Sequence, residues 1–452
     1  MAGIEHVAIV GAGFSGTLQA INLLRHDGPR ATLIERGGRA GEGLAYGAAH
    51  PSHVLNVRAG NMSAFPDDPG HFARWLEGRG VTNAASSFAS RVTYGEYLRE
   101  MLDAAIASSG GRLTVSYGEV VDAVEQGEGV ALAFADGGVL EADAAVLAVG
   151  NLPPHDPPGL NPDALPGDLY KGDPWASDVA DGLNADDTVL VVGTGLTMVD
   201  VALMLEARGF AGRIIALSRR GLLPRRHEPA ADWARIEERP ATTASALVRK
   251  VRVRAQTIGW RNAVDELRPF TQPMWANASE AERARFLRHL RPWWDVHRHR
   301  LAPEVADRLA AMQSRGQLDV IAGKTLAFVP GERGVDVSWR PRGERSAQAM
   351  TVRRIVNCTG PLGDLARTTD PLLAALRGRG AIRPDAAHLG IDVNGVGQVI
   401  GSAGQPSDRL YAIGPMTRGA FWEIVAVPDI RRQTWDVARR LSNAQWVGGE
   451  GL

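Results

Sequence analysis

Apolar residues along this chain come in short runs set to two different periods. The run over 5–10 ends in Val7-Ala8-Ile9-Val10 and reads as a buried strand. Leu18, Ile21 and Leu24 recur at helical spacing over 14–26, and Ala31-Thr32-Leu33-Ile34-Glu35 reads as a second strand. Strand, tight turn, helix and strand in that order predict a compact βαβ unit. The pattern returns later: Thr188-Val189-Leu190-Val191-Val192 as a strand, a helix over about 196–208, and Arg213-Ile214-Ile215-Ala216-Leu217-Ser218 as the next strand.

Between and after these units the pattern changes. Residues 38–70 are rich in Gly, Asn, Pro and Asp and long for a connection, which is common in functional loops. Helical spacing follows at 70–79 and 93–107. Short alternating runs near 113–117, 119–125, 130–134 and 139–140 predict an antiparallel insert, and 144–150 returns to a parallel sheet. Pro153, Pro154, Pro157 and Pro158 mark a boundary. Residues 225–315 are Arg- and Trp-rich with helical periodicity and no convincing strand. Strands resume at 318–321, 325–329, 335–339, 351–357 and 410–413, and a helix is expected over about 427–441. The expected fold is α/β, with two Rossmann-like domains, the second inserted in the first. The expected boundaries are 1–155 for the first part of one domain, 156–344 for the inserted domain with a helical insert at about 225–315, and 345–452 for the return.

Each βαβ unit carries a glycine fingerprint at its turn. The first is Gly11-Ala12-Gly13-Phe14-Ser15-Gly16, with Glu35 ending the second strand. Such a turn lets backbone approach a pyrophosphate at a helix N-terminus, and the acid accepts hydrogen bonds from a free ribose diol. This is the pattern of an FAD site. The second fingerprint is Gly193-Thr194-Gly195-Leu196-Thr197-Met198, and Ser218-Arg219-Arg220 stands where the acid would be. Arginines there suit a 2′-phosphate, so this unit reads as an NADPH site. The bland alternative is a solvated basic turn. Met198 replaces the third glycine, which should hold helix and strand slightly further apart.

Composition narrows the partners. The formal net charge is −1, which offers no electrostatic case for nucleic acid or an anionic membrane. No apolar run is long enough for a transmembrane helix, and the N-terminus enters a core strand without a signal-like segment, so a cytoplasmic location is expected. Cys358 is the one cysteine, which excludes electron transfer from a flavin to a cysteine pair within the chain. Its apolar surroundings read as a strand end with a small buried side chain.

Two nested dinucleotide units resemble the flavin monooxygenases that bind FAD and NADPH separately. The segment from His53 to Pro69, with Asn56, Met62 and Phe65-Pro66-Asp67, resembles the Asn…Met…Phe-Pro-Asp-x-Pro segment of flavin-containing and N-hydroxylating monooxygenases. A closer resemblance is to the bacterial YdhS-like FAD/NAD(P)-binding proteins. It rests on Gly43-Leu44-Ala45-Tyr46, His53 to Asp68, Gly193 to Asp200, His297-Arg298-His299-Arg300 and Trp422-Glu423. The resemblance implies that Asn56 lies by the flavin ring near its oxygen-reactive carbon. It also implies that Gly11, Gly13, Phe14, Ser15, Gly16, Glu35, Arg36, Tyr46, Val57, Met62, Ser63, Val120, Gly150, Gly414 and Pro415 surround FAD. Gly193, Gly195, Leu196, Thr197, Ser218, Arg219 and Arg220 would hold NADPH. Tyr170 to Trp175 lacks the histidine of the Baeyer–Villiger signature, a departure from that branch.

His297 and His299 invite a metal reading, but on a helix positions two apart face differently, and Arg298 and Arg300 oppose a cation. No metal is expected. The sequence thus points to an FAD- and NADPH-dependent monooxygenase that oxygenates a small molecule with O₂ through a peroxyflavin. The alternatives are an NADPH oxidase or reductase serving O₂, a quinone or a protein partner, and a nucleotide-binding sensor without turnover.

Overall fold

The computed structural model describes residues 3–176, 178–228, 236, 240, 243–361 and 363–442. Its first sheet has six strands in the order Gln398–Ile400, Pro406–Ala412, Ala144–Leu147, His6–Val10, Arg30–Glu35 and Leu113–Tyr117. All neighbours are parallel except the antiparallel edge made by Gln398–Ile400. Both faces are covered, which is why the strands read as continuous apolar runs. Val7, Ile9, Leu33 and Val146 pack on the helices Phe14–Arg25, Arg91–Ser108 and Val427–Leu441. Ala8, Val10, Ile34 and Leu147 pack on the antiparallel strands Val120–Gln126, Gly129–Phe134 and Val139–Ala142 and on helix Pro371–Gly378. The alternating runs seen in the sequence are this second, small sheet.

The second sheet has seven strands, in the order Gln348–Val352, Gly334–Pro341, Leu318–Gly331, Arg213–Ser218, Thr188–Val192, Arg354–Asn357 and Tyr170–Lys171. The last five strands of that order are parallel, and the two at the other edge are antiparallel. Two details differ from the sequence reading. The runs at 318–321 and 325–329 form one strand whose register slips between Thr325 and Ala327. The boundary at 344 falls too early, because Gln348–Val352 and Arg354–Asn357 belong to the second sheet. Arg354–Asn357 pairs in register with Thr188–Val192, and the chain returns to the first domain only after Asn357.

The helical insert is also shorter than 225–315. Helix Pro303–Ser314 buries Val305, Leu309 and Met312 against the second sheet and its helix Leu196–Ala207. It is the crossover between the parallel neighbours Arg213–Ser218 and Leu318–Gly331, as a parallel pair requires. Within the described residues the insert proper contains Ala244–Asp265, interrupted where Gly259 takes a φ of +77°, then Arg268–Asn277, Glu280–Arg285, a π-helical turn at Phe286–Leu290, and Arg291–Arg298. No described helix is long and apolar enough to cross a membrane.

Arg354 fastens the linker between the domains. It is 1% exposed, and its guanidinium donates from Nε to the Asp168 carbonyl at 2.7 Å and from Nη1 to the Val179 carbonyl at 2.8 Å. Arg354→Ala removes two charged hydrogen bonds, each worth ~1.5–3 kcal/mol. It should lower the urea midpoint by an amount corresponding to about 3 kcal/mol or more. An unchanged midpoint would show that this anchor carries no stability.

Candidate functional site: two dinucleotide cradles and the seam between them

The first cradle is built by backbone packing. Gly11 has a φ of +102°, and a methyl group there would stand 2.4 Å from the Ala148 carbonyl oxygen. A methyl at Gly16 would stand 1.8 Å from the Gly11 carbonyl oxygen. These two glycines are therefore demanded by the protein's own packing. Gly13 differs. Its φ is −76°, and a methyl there would only touch the Gly43 Cα at 3.4 Å. Its bareness leaves room for a ligand at the N-terminus of helix Phe14–Arg25, whose first turn contains no acid. The loop after the second strand folds back over this turn: Gly41 N–H donates to the Ala12 carbonyl at 2.8 Å, and Gly43 takes a φ of +60° beside Gly13.

Glu35 closes the cradle where the fingerprint requires an acid. One carboxylate oxygen accepts from Ala12 N–H at 3.3 Å and the other from Gly37 N–H at 2.6 Å. Arg36 pairs with Asp370 at 3.1 Å at the exposed rim. Phe14 and Ser15 are buried. Tyr46 is buried edge-on against Phe14 and close to Tyr94, and burial pushes its hydroxyl up to about 12. Val120 lies in the core between the two sheets, beside Ile34. Gly150 follows its strand with a φ of +69° and open space around it.

The late turn comes to the same place. A methyl on Gly414 would stand 2.5 Å from the Ser15 hydroxyl, so Gly414-Pro415 sits against the start of the first helix. Gly414 N–H donates to the Gln433 side chain at 2.7 Å, and the Gln433 amide donates to Thr417 at 3.0 Å. Arg431 donates to the Ser63 carbonyl at 2.8 Å, and Tyr94 to the Met62 carbonyl at 2.8 Å. These bonds hold the segment carrying Met62 and Ser63 near the late turn. Val57 packs on the same core. Gln433 and Arg431 had no signal in the sequence beyond lying on a helical face.

The second cradle repeats the first with one change. Gly193 has a φ of +122°, and a methyl there would stand 2.1 Å from the Cys358 carbonyl oxygen, matching the Gly11–Ala148 approach. Met198 occupies the position of Gly16 and is fully buried. A Cβ cannot sit where Gly16 lies, so a helix carrying Met198 cannot approach its turn as closely as the first one does. Gly195 has nothing within 4 Å of where a methyl would go. Leu196 and Thr197 are half-buried, so this helix N-terminus is more open than the first.

Ser218 bonds the Thr194 hydroxyl at 2.9 Å and accepts from Gly221 N–H at 3.0 Å, which shapes the loop after the strand. Arg219 is exposed and Arg220 half-buried. Neither has a hydrogen bond or ion pair with a described residue. Both are thus available to an anion. The donor sets fit the two groups that the fingerprints imply, FAD in the first cradle and NADPH in the second.

The two cradles meet at the Asn56 loop. His53 Nε2 donates to the Asp200 carbonyl at 3.1 Å, and Asp200 lies in the helix that starts at the second cradle. His50 N–H donates to His53 Nδ1 at 3.1 Å, which fixes the tautomer, and burial lowers the pKa of His53. Arg91 pairs with the Asp200 carboxylate at 3.1 Å. His227 Nε2 donates to the Asn56 carbonyl at 2.9 Å. Asn56 is half-buried in this seam.

The His297 to Arg300 and Trp422-Glu423 motifs, far apart in the chain, come together. Glu423 accepts from Trp294 Nε1 at 3.1 Å and from Arg298 Nε at 3.1 Å. Arg300 grips Asp265 with two bonds of 2.8 Å. Among the described residues there is no cluster able to hold a metal ion. Cys358 is buried, and burial pushes its thiol well up, away from reactivity.

Residues 8–152 match an FAD-NAD(P)-binding family. No curated protein matches the chain. Among solved structures, the chain is similar to ornithine hydroxylase from Pseudomonas aeruginosa, with 14% identity, 97% of this chain and 99% of that one covered, and a TM-score of 0.67. It is similar to L-lysine 6-monooxygenase from Pseudomonas syringae, with 17% identity, 98% and 99% covered, and a TM-score of 0.66. A third is thioredoxin reductase from Lactococcus lactis, with 12% identity, 97% and 98% covered, and a TM-score of 0.54. The fold is that of flavoproteins with two dinucleotide-binding domains.

Two outcomes follow from the cradles. Gly13→Val should fold yet purify without flavin, because its side chain occupies ligand space. Gly16→Val should also lose stability, because it collides with backbone. Yellow Gly13→Val protein would refute the cradle assignment. Second, NADPH should reduce the flavin better than NADH by roughly 10- to 10⁴-fold, given ~1.5–3 kcal/mol for each of one or two charged contacts. Arg219→Ala with Arg220→Ala should erode that preference through Kd. Equal use of both nucleotides by the wild type would remove the arginines' role.

Proposed function

We propose that this chain is an FAD-dependent oxidoreductase that uses NADPH to reduce the flavin and O₂ to oxygenate a small molecule. The observation that carries the reading is the pinned seam. The loop bearing Asn56 belongs to the first domain, yet it is fastened to the second cradle's own helix through His53 and Asp200. A nicotinamide from one cradle and a flavin from the other would meet there. FAD, when bound, supplies the hydride acceptance and the reaction with oxygen. The protein binds, orients and excludes water.

Several features favour oxygenation. The Asn56…Met62…Phe65-Pro66-Asp67 pattern resembles that of N-hydroxylating monooxygenases and of the YdhS-like proteins. The solved structures of similar fold include hydroxylases of ornithine and lysine. They also include a thioredoxin reductase, but a single buried cysteine leaves no pair to accept electrons within this chain. In this reading the Asn56 carboxamide, which has both a donor and an acceptor, would face the flavin ring with its N–H₂ and the nicotinamide amide with its oxygen. A cytoplasmic setting, without nucleic-acid or membrane partners, belongs to the same reading.

Anaerobic mixing with NADPH, then with air, tests it: the yellow colour should bleach and return, with product formed in place of H₂O₂ once a substrate is present. Stoichiometric H₂O₂ with every substrate would favour the oxidase alternative. Absence of bleaching would favour a sensor. Asn56→Ala should keep FAD binding and NADPH-driven bleaching near wild type. Losing one hydrogen bond to a charged group costs ~1.5–3 kcal/mol, so coupling of NADPH to product should fall by roughly 10- to 150-fold in the competing rates. Unchanged coupling would make Asn56 a loop residue only.

A further inference from the structure

A cavity of about 540 Å³ lies among the helices of the insert and is closed on one side by Trp422, within the ~300–1,000 Å³ usual for small-molecule sites. Its floor is aromatic. Trp275 and Trp422 stack with centroids 4.6 Å apart, and Phe286 meets both edge-on. Trp275 is 5% and Trp422 1% exposed. Phe286 and Leu290 are presented by the π-helical turn, a feature frequent at functional sites. The floor also faces the first domain. Trp422 follows the Gly414–Thr417 turn by a few residues. Its loop is held to the insert by Trp422 N–H to the Gln272 side chain at 3.0 Å and by Trp275 Nε1 to the Gly419 carbonyl at 2.8 Å.

The charges of the wall are lopsided. Its one acid, Glu282, is engaged by the Ser279 backbone N–H and hydroxyl, each at 3.1 Å. Arg283 donates to the carbonyls of Trp275 and Ala276. Arg225 and Arg252 line the open part and have no carboxylate partner among the described residues. His297 Nδ1 and Trp422 Nε1 are buried without a protein partner.

Resting on the flavoenzyme reading above, we infer that this cavity is the substrate pocket and that it takes a flat apolar molecule bearing an acidic group, in contrast to a basic amino acid. An ammonium group entering here would give up hydration and meet two guanidinium groups with no free carboxylate among the described lining residues. An apolar ring fills the aromatic floor, and an attached carboxylate reaches Arg225 and Arg252 at the mouth.

Three probes with one ring system separate charge from shape: 1-naphthylacetate, 1-naphthylacetamide and 1-naphthylmethylamine, titrated calorimetrically into the full-length FAD-loaded protein. The acid should bind about tenfold or more tighter than the amide, one charged contact being worth roughly that factor. The amine should bind most weakly. Arg225→Gln with Arg252→Gln should bring the acid to the level of the amide. Leu290→Trp, which fills the cavity, should abolish binding of all three while the protein stays yellow. The acid should also raise wild-type NADPH consumption, and should not do so in Leu290→Trp. An amine that binds as tightly as the acid would overturn the inference. So would no binding at millimolar probe, or binding that survives Leu290→Trp. Binding without a change in NADPH consumption would remove the substrate role. A pocket covered by a second copy would show as a dimer on sedimentation with no probe bound, which also overturns it. NADPH-driven bleaching without any probe is scored separately, so failure of the flavoenzyme reading stays distinct from failure of the pocket.

Discussion

The structure depends on a backbone contact made twice. In each dinucleotide unit the first glycine of the turn lies so close to the neighbouring strand's carbonyl that no side chain fits: Gly11 against Ala148, and Gly193 against Cys358. That approach aims the following helix at the strand ends and leaves its N-terminal N–H groups facing the cleft. In the first unit Gly16 tightens the arrangement, and Gly414 lets the late turn approach so closely that a methyl there would stand 2.5 Å from the Ser15 hydroxyl. The second unit holds the same approach with a buried Met198 in place of the third glycine. The repeat extends to the strand ends, where Gly150 and Gly360 both take positive φ after the contacted carbonyl.

A seam of buried polar groups fixes the two domains against each other. His53, Arg91 and Asp200 form its centre, and Glu423 with Trp294 and Arg298 its outer part. Such groups are a commitment: the Glu423 carboxylate, 6% exposed, is tolerable only while its donors stay in place. Burial pushes the Arg418 guanidinium down to about 10, and it lies over the Trp422 ring at 4.3 Å. Met416, Thr417 and Trp422 are at most 2% exposed, so the region beside the late turn is poor in water, the condition under which placed donors act most strongly.

Local pattern made the two βαβ units, the small antiparallel sheet and the last helix legible, because period and turn chemistry are properties of neighbouring residues. The return expected at 345 comes too early because the Arg354–Asn357 strand, with Ile355-Val356 as its apolar part, suits either sheet by local pattern. Its partner, Thr188–Val192, lies far back in the chain. The Pro303–Ser314 helix was assigned to the insert for the same reason: helical spacing shows a buried face, and does not say that the face meets Leu196–Ala207. Of the site, the glycines, Glu35 and the arginines were readable. Gln433, Arg431 and His227 were not, since a polar residue on a helix or loop looks the same whether it faces solvent or clamps a turn. The aromatic floor was likewise hidden, because Trp275 and Trp422 come from separate domains.

The two cradles differ in exposure, and that difference has a consequence for electron flow. Phe14 and Ser15 at the first helix N-terminus are buried, and the loop through Gly41 and Gly43 lies over them. A dinucleotide held there would leave slowly. Gly195 at the second is exposed and its arginines have no partner among the described residues, so a dinucleotide there would exchange more readily. A resident flavin and a transient nicotinamide are the division that the flavoenzyme reading requires. With Cys358 buried behind the second turn and no second cysteine, two electrons accepted at the first cradle have no protein thiol to go to. In the proposed reading they leave through a small molecule admitted to the seam. The Asn56 loop borders that seam on one side and, on the other, the insert rests on residues 419–422.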